Sequence, residues 1–186
     1  MTSIRSGSAR TRSSSSSTTT PDTLTETTVR DLRPEDWPQV AAIYEEGIAT
    51  GNATFETEVP SWEAWDDAHT AVRLVAERGG EIVGWAGLSS VSDRCCYRGV
   101  AEVSVYVAAR ARGTGVGRTL LAALVERAEA DGIWTLQAGL FPENEASLQL
   151  HLRSGFRLVG RRERLGQLGG VWRDVLMLER RSQTVG

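Results

Sequence analysis

Apolar positions along this chain recur with two different periods, and each switch between them marks an element boundary. Thr28 to Leu32 is predicted as a strand. Pro34 to Ile48 is predicted as a helix, with Pro34 near its first turn, Glu35 and Asp36 at its positive end, and Val40, Ile43, Tyr44 and Ile48 along one face. Leu74 to Arg78 and Glu81 to Ser90 read as a hairpin folded at Gly79-Gly80. Val100 to Val107 is a β-branched strand. It leads into a helix from Gly115 to Ala130 whose Val116, Leu120, Leu124 and Ala128 form an apolar stripe, ended by Asp131-Gly132. A strand from Thr135 to Leu140, a helix from Glu143 to Ser154 with Leu148 and Leu152 toward the sheet, and strands Phe156 to Leu165 and Val171 to Leu178 follow. The alternation predicts an α/β domain.

Residues 1–27 break this pattern. They are rich in Ser and Thr, carry Arg5, Arg10 and Arg12, and hold no acidic residue before Asp22, so disorder is expected there and a single domain over residues 28–181. The stretch has no hydrophobic segment of a secretory signal, although an Arg- and Ser-rich start superficially suits an organelle transit peptide. No apolar run is long enough to span a membrane, so the cytoplasm is the default expectation. The net charge of -3 gives no reason to expect a nucleic-acid partner. All 21 basic residues are Arg, the mark of a GC-rich, bacterial coding bias. Cys95 and Cys96 are adjacent, poorly placed to form a disulfide, and read as reduced thiols rather than a nucleophile. With only His69 and His151 to join them, no metal site is expected.

Chemistry concentrates where the strand ending at Val107 meets the following helix. Arg110, Arg112 and Arg118 surround a loop containing Gly113, Thr114, Gly115, Val116 and Gly117. Glycines let backbone N–H groups approach an anion, and the helix directs its positive end at the same point, so the loop is predicted to hold a pyrophosphate. A GxxxxGK loop is excluded because the chain contains no lysine. A GxGxxG dinucleotide fingerprint fails in both registers, since Arg118 or Leu120 stands where the third glycine is required.

The remaining pattern, Arg112-x-x-Gly115-x-Gly117, resembles the acetyl-CoA signature (Q/R)xxGx(G/A) of the GNAT N-acetyltransferase superfamily. Asn144, Ser147, His151 and Gly155-Phe156 resemble its second cofactor motif. Tyr97-Arg98 through Glu102 to Val107, and Gly170-Val-Trp172-Arg-Asp174, resemble the phosphinothricin acetyltransferase branch. The resemblance covers Val29 to about Arg180. It implies a mixed, largely antiparallel sheet flanked by helices, acetyl-CoA as co-substrate, a small amine acceptor and a homodimer.

Helical spacing puts Asn144, Ser147 and His151 on one stripe. Asn144 reads locally as a helix cap, whereas the resemblance assigns it, with Ser147, to the pantetheine arm. Val105, Tyr106 and Val107 read as core strand, and in the resembled family their backbone pairs with pantetheine. Glu102 is a carboxylate in an apolar strand, costly to bury without a partner or a task. It faces solvent, pairs with Arg98 or Arg94 or, as the resemblance implies, takes a proton from the amine. His151 stands where many family members carry a tyrosine acid, and an imidazole serves as acid or base. For the acceptor, the resemblance points to Phe55, Arg94, Tyr97, Arg98 and Trp172, with Arg94 or Arg98 suited to a carboxylate. Acetylation of a protein or peptide, and a non-catalytic acyl-CoA sensor, are the competing readings.

Overall fold

The computed structural model describes residues 26–69 and 71–186, so most of the predicted N-terminal tail lies outside the described residues. Seven strands form one sheet in the order β1-β2-β3-β4-β5-β7-β6. These are β1 (Thr28–Asp31), β2 (Arg73–Arg78), β3 (Glu81–Ser90), β4 (Val100–Val107), β5 (Thr135–Leu140), β6 (Arg157–Leu168) and β7 (Val171–Arg181). Every neighbouring pair is antiparallel except β4 and β5.

The helices divide between the two faces. Helix α1 (Trp37–Ile48), entered through a 3-10 turn at Pro34–Asp36, packs with α2 (Trp62–Ala68) on one face, where Val40, Ile43, Tyr44, Trp65, Val75, Ile82 and Trp85 are buried together. Helix α3 (Val116–Ala130) covers the other face with Leu120, Leu121 and Leu124 fully buried, and α4 (Glu145–Arg153) lies on that same side. Among the described residues no helix is long and apolar enough to cross a membrane.

Three differences from the sequence expectation have local causes. Helix α2 was not anticipated, because seven residues are too few for a period to emerge. Its start is nevertheless capped by Ser61, whose hydroxyl accepts from Ala64 N–H at 3.3 Å. In α4 it is Leu148 and Leu150 that pack on the core, while Leu152, expected on the sheet, is exposed. The last two strands also run further than the apolar pattern, to Leu168 and Arg181.

One feature of the sheet makes room for a ligand. The parallel pairing of β4 with β5 spans only Val100↔Thr135 to Glu102↔Gln137, after which the strands part. On the other side β4 stays paired with β3 to Val107, and Ala108 N–H donates to the Val83 carbonyl. Alternation from that bond turns the N–H and C=O of Val105 away from β3, toward the gap. Val105 therefore offers free backbone groups in the middle of the fold.

Candidate active site

A cavity of about 300 Å³ occupies this split. On the α1/α2 side it lies over β5, β7 and β6, beyond the strands that α1 covers, and it is roofed by Ala53, Thr54 and Phe55. On the other side it reaches Asn144, Ser147 and His151. Side-chain alternation explains its lining. Val103, Val105 and Val107 face the core under α3, so Glu102, Ser104 and Tyr106 face the opposite way. Successive cross-strand pairs, Gly139↔Met177 and Val175↔Arg162, carry the same face across to the far edge.

Glu102 is reached by solvent, but the protein around it removes enough water to raise its pKa above the ordinary carboxylate value, and the positive charge of Arg162 opposes that rise. Neither Arg94 nor Arg98 pairs with it; both lie on the exposed segment before β4. Gly139 stands alongside, and a Cβ there would sit 3.8 Å from Glu102 Oε1 and 3.3 Å from Val175 Cγ1. The glycine keeps the space beside the carboxylate open.

His151 is 2% exposed. Its Nδ1 lies 2.8 Å from the Ser147 carbonyl, which can only accept, so the proton resides on Nδ1. Nε2 is then a bare acceptor, buried and without a hydrogen-bond partner among the described residues. Burial lowers the imidazole pKa, against a smaller upward pull from the Ser147 carbonyl, and the neutral form prevails at pH 7. Asn144 is committed on two sides: its Oδ1 accepts from Ser147 N–H at 3.2 Å and its Nδ2 donates to the Asn52 carbonyl at 3.1 Å. It caps α4 and ties that helix to the roof.

At the glycine loop, Gly113 and Gly115 have φ of 75° and 91°. A side chain at either would meet nothing within 4 Å, so backbone conformation rather than space calls for glycine. Gly115 caps α3 with no side-chain bond, and the first-turn N–H groups of Val116, Gly117 and Arg118 stay open. Gly117 is needed for closeness, since its Cβ would lie 3.2 Å from Leu150 on α4. Thr114 donates to the Ala111 carbonyl at 2.8 Å and Arg112 Nε to the Val107 carbonyl at 3.2 Å, while Arg110 turns toward Glu81 and the Ile82 carbonyl.

The acetyltransferase (GNAT) family model matches residues 28–156. The chain belongs to that family. It is 39% identical over 165 residues to phosphinothricin N-acetyltransferase of Alcaligenes faecalis, covering 82% of this chain and 81% of that one. It is 32% identical over 158 residues to the L-methionine sulfoximine/L-methionine sulfone acetyltransferase of Pseudomonas paraeruginosa, covering 81% and 92%. A solved phosphinothricin acetyltransferase from Sinorhizobium meliloti, in complex with AcCoA, superposes with a TM-score of 0.77 at 31% identity, covering 83% of this chain and 88% of that one.

GNAT enzymes use acetyl-CoA, and the residues present suit it. The free strand groups of Val105 match an amide-bearing arm, and the open α3 N-terminus with its two left-handed glycines matches a pyrophosphate. Among the described residues no group of His, Cys, Asp and Glu gathers in a way that would hold a metal ion, and Cys95 and Cys96 are exposed free thiols.

Of the acceptor residues named from sequence, only Phe55 lines the cavity. Arg94 stacks over the Tyr97 ring at 5.8 Å on the surface, Arg98 is exposed, and Trp172 is 54% exposed on the β6–β7 hairpin. The cavity uses Tyr44, Thr54, Phe141, Met177 and Arg162 instead. Tyr106, named for its backbone, presents its ring to the acceptor side, stacked 4.6 Å from Trp85, and burial raises the pKa of its hydroxyl. The weakly patterned run Arg161-Arg162-Glu163-Arg164 hides Arg162, because nothing local separates it from its neighbours.

Proposed function

We propose that this GNAT enzyme transfers the acetyl group of acetyl-CoA directly to the amino group of a small amino-acid-like acceptor, of the class represented by phosphinothricin and methionine sulfone or sulfoximine. The carrying observation is that one cavity through the β4–β5 split is lined by both a carboxylate residue, Glu102, and an imidazole, His151. Bound acetyl-CoA supplies the thioester carbonyl that the amine attacks.

An ammonium must lose two protons to become an amide, and the two groups divide this work. Glu102 takes the first, freeing the nitrogen lone pair. Its raised pKa brings it nearer to the amine it must deprotonate. His151 enters neutral with Nε2 unprotonated, so it acts first as acceptor: it takes the second proton as the new C–N bond forms and passes it to the departing sulfur. The N–H of Val105 faces the gap and is free to hold the carbonyl oxygen as negative charge gathers there. Thr54, Phe55 and Phe141 enclose the acceptor, and the Gly113–Gly115 loop with Arg112 holds the pyrophosphate. We also propose a cytoplasmic location, the default for a chain with no long apolar run, and a homodimer, which rests on family resemblance and is checked by light scattering.

The test is thiol release from acetyl-CoA with phosphinothricin, methionine sulfone, methionine sulfoximine, the ordinary amino acids and short peptides. Turnover with an amino-acid-like acceptor, falling by about 10²–10⁴ in Glu102→Gln, is the expected result. Turnover confined to peptides would replace the acceptor class, and acetyl-CoA binding without turnover would turn the reading toward a sensor.

A further inference from the structure

Two charged side chains of opposite sign line the cavity, Glu102 and Arg162, and they do not pair with each other. Most of its arginine neighbours are paired. Around it on β6 and β7, Arg157 is bonded to Glu179 at 2.5 Å, Arg161 to Asp174 at 2.5 Å and Arg173 to Glu143 at 3.0 Å. Asp174 also accepts the Arg164 N–H at 2.7 Å. Among the described residues the Arg162, Arg164 and Arg181 guanidiniums of these two strands have no carboxylate partner, and of the three only Arg162 lines the cavity.

The backbone just after it is distorted. Pairing of β6 with β7 shifts once at Val159, runs in register from Gly160↔Met177 to Arg162↔Val175 and resumes at Gly166↔Arg173, so three β6 residues bulge opposite Asp174 alone. Arg164 takes φ of 48° inside the bulge, held by the Asp174 bond to its N–H. Gly166 then passes beneath Phe55, where a Cβ would lie 2.9 Å from the ring. Arg162, paired with Val175, and Leu165, from the bulge, thus line the cavity under the same aromatic roof.

A free α-amino acid carries an ammonium and a carboxylate on one carbon, and this cavity presents one fixed charge for each. Resting on the function proposed above, we propose that Arg162 binds the α-carboxylate of the acceptor while the ammonium faces Glu102, making the enzyme selective for free α-amino acids over amino-acid amides, simple amines and peptide N-termini. The guanidinium fork matches a carboxylate with two parallel hydrogen bonds, and closing Phe55 and Leu165 around the pair strengthens it by excluding water. A peptide N-terminus brings an amide where the carboxylate belongs and leaves Arg162 without a counter-charge. The same guanidinium partly offsets the rise that burial causes in the Glu102 pKa.

The experiment compares the best amino-acid acceptor from the panel with its own C-terminal amide, in the wild-type enzyme, Arg162→Gln and Arg162→Lys, at pH 8.5, with a pH profile of each to separate any change at Glu102 from the loss of carboxylate binding. The expected result is a rise of about 10–100-fold in KM for the amino acid in Arg162→Gln, the loss of a charge-assisted bidentate contact. The amide and acetyl-CoA constants change less than threefold, the acid-to-amide preference collapses, and Arg162→Lys recovers part of it. Equal losses on acid and amide, or none on either, overturn the assignment; a collapse of preference in Arg98→Gln but not Arg162→Gln moves the anchor to the segment before β4. Absence of turnover with every amine in the wild-type enzyme overturns the functional reading instead, and this assignment with it.

Discussion

Arg173 makes two of the three side-chain bonds that hold the segment leading into the cavity roof, and removing it is a sharp structural test. Arg173, on β7, donates from Nη1 to the Gly51 carbonyl at 3.0 Å and from Nη2 to Asn52 Oδ1 at 2.9 Å and Glu143 Oε2 at 3.0 Å. Its guanidinium lies 4.2 Å from the Phe141 ring centroid, and Phe141 meets Phe55 edge-on at 4.8 Å. The side chain is 16% exposed while Glu143 is 58% exposed, so the bonds to the roof matter more than the ion pair. Each roof bond from a cation contributes about 1.5–3 kcal/mol at most, and the ring contact about 0.5–2 kcal/mol. These contributions share one side chain, water replaces part of them, and Asn144 still holds the Asn52 carbonyl. Arg173→Leu is therefore expected to lose about 2–4 kcal/mol rather than the full sum.

If the loss is global, urea unfolding shows it directly and Tm falls by about 4–12 °C for a chain of this size. If it is local, amide exchange across residues 51–56 accelerates by about 30-fold or more, the equivalent of 2 kcal/mol, while the α3 amides keep their protection. In either case the acceptor KM is expected to rise more than the acetyl-CoA KM, because the proposed function has Thr54 and Phe55 enclose the acceptor. A change below about 1 kcal/mol together with unaltered exchange in residues 51–56 would refute the latch.

Three further outcomes follow from the geometry. In Glu102 the folded carboxyl has a pKa above its unfolded value, so the unfolded chain releases its proton first and stability drops as pH climbs from the ordinary carboxylate range through the raised value. Glu102→Gln should therefore melt at a higher temperature than the wild type at pH 8 while losing activity, with the gain shrinking toward pH 4; a lower melting temperature at pH 8 contradicts the desolvated environment. For His151, nitrogen NMR of the free enzyme at pH 7 should show a neutral ring protonated at Nδ1, and protonation at Nε2 would cancel its part as acceptor in the proposed transfer. Gly84→Ala would put a methyl 2.9 Å from both Leu120 Cδ1 and the Tyr106 carbonyl, where β3, β4 and α3 meet. Since one of those atoms is backbone, about 1–3 kcal/mol of destabilisation is expected in urea, and a neutral substitution would mean the three elements are less tightly packed.

Elements whose side chains all answer to one environment were readable from pattern alone. Strand β4 begins and ends at Val100 and Val107 as its β-branched run does, and α3 buries the stripe Val116, Leu120, Leu124 and Ala128 that its spacing marks. Pattern failed where the inward face is polar. In α4 the side turned to the protein includes Ser147 and the buried His151, whose ring meets Phe156 edge-on at 5.0 Å, so an apolar-inward rule rotates the helix and wrongly buries Leu152. That failure is informative, because a helix that spends its buried face on an imidazole is doing so against the usual hydrophobic preference.

Arg162 shows the complementary limit. In the run Arg161-Arg162-Glu163-Arg164, strand alternation would send Arg162 and Arg164 to the same face, yet the bulge separates them: Arg162 reaches the cavity while the Arg164 N–H is tied to Asp174. The bulge depends on Asp174, which lies ten residues on and across the hairpin, and on Gly166 yielding to Phe55 from a loop more than a hundred residues earlier. No window along the chain contains both causes. The proposed acceptor side is thus assembled from contacts that only the folded sheet brings together, whereas the glycine loop is a local device, with its turn and helix start adjacent in sequence. Acceptor specificity in such a fold can change through Arg162, Asp174 or Phe55 without disturbing the loop that marks the family.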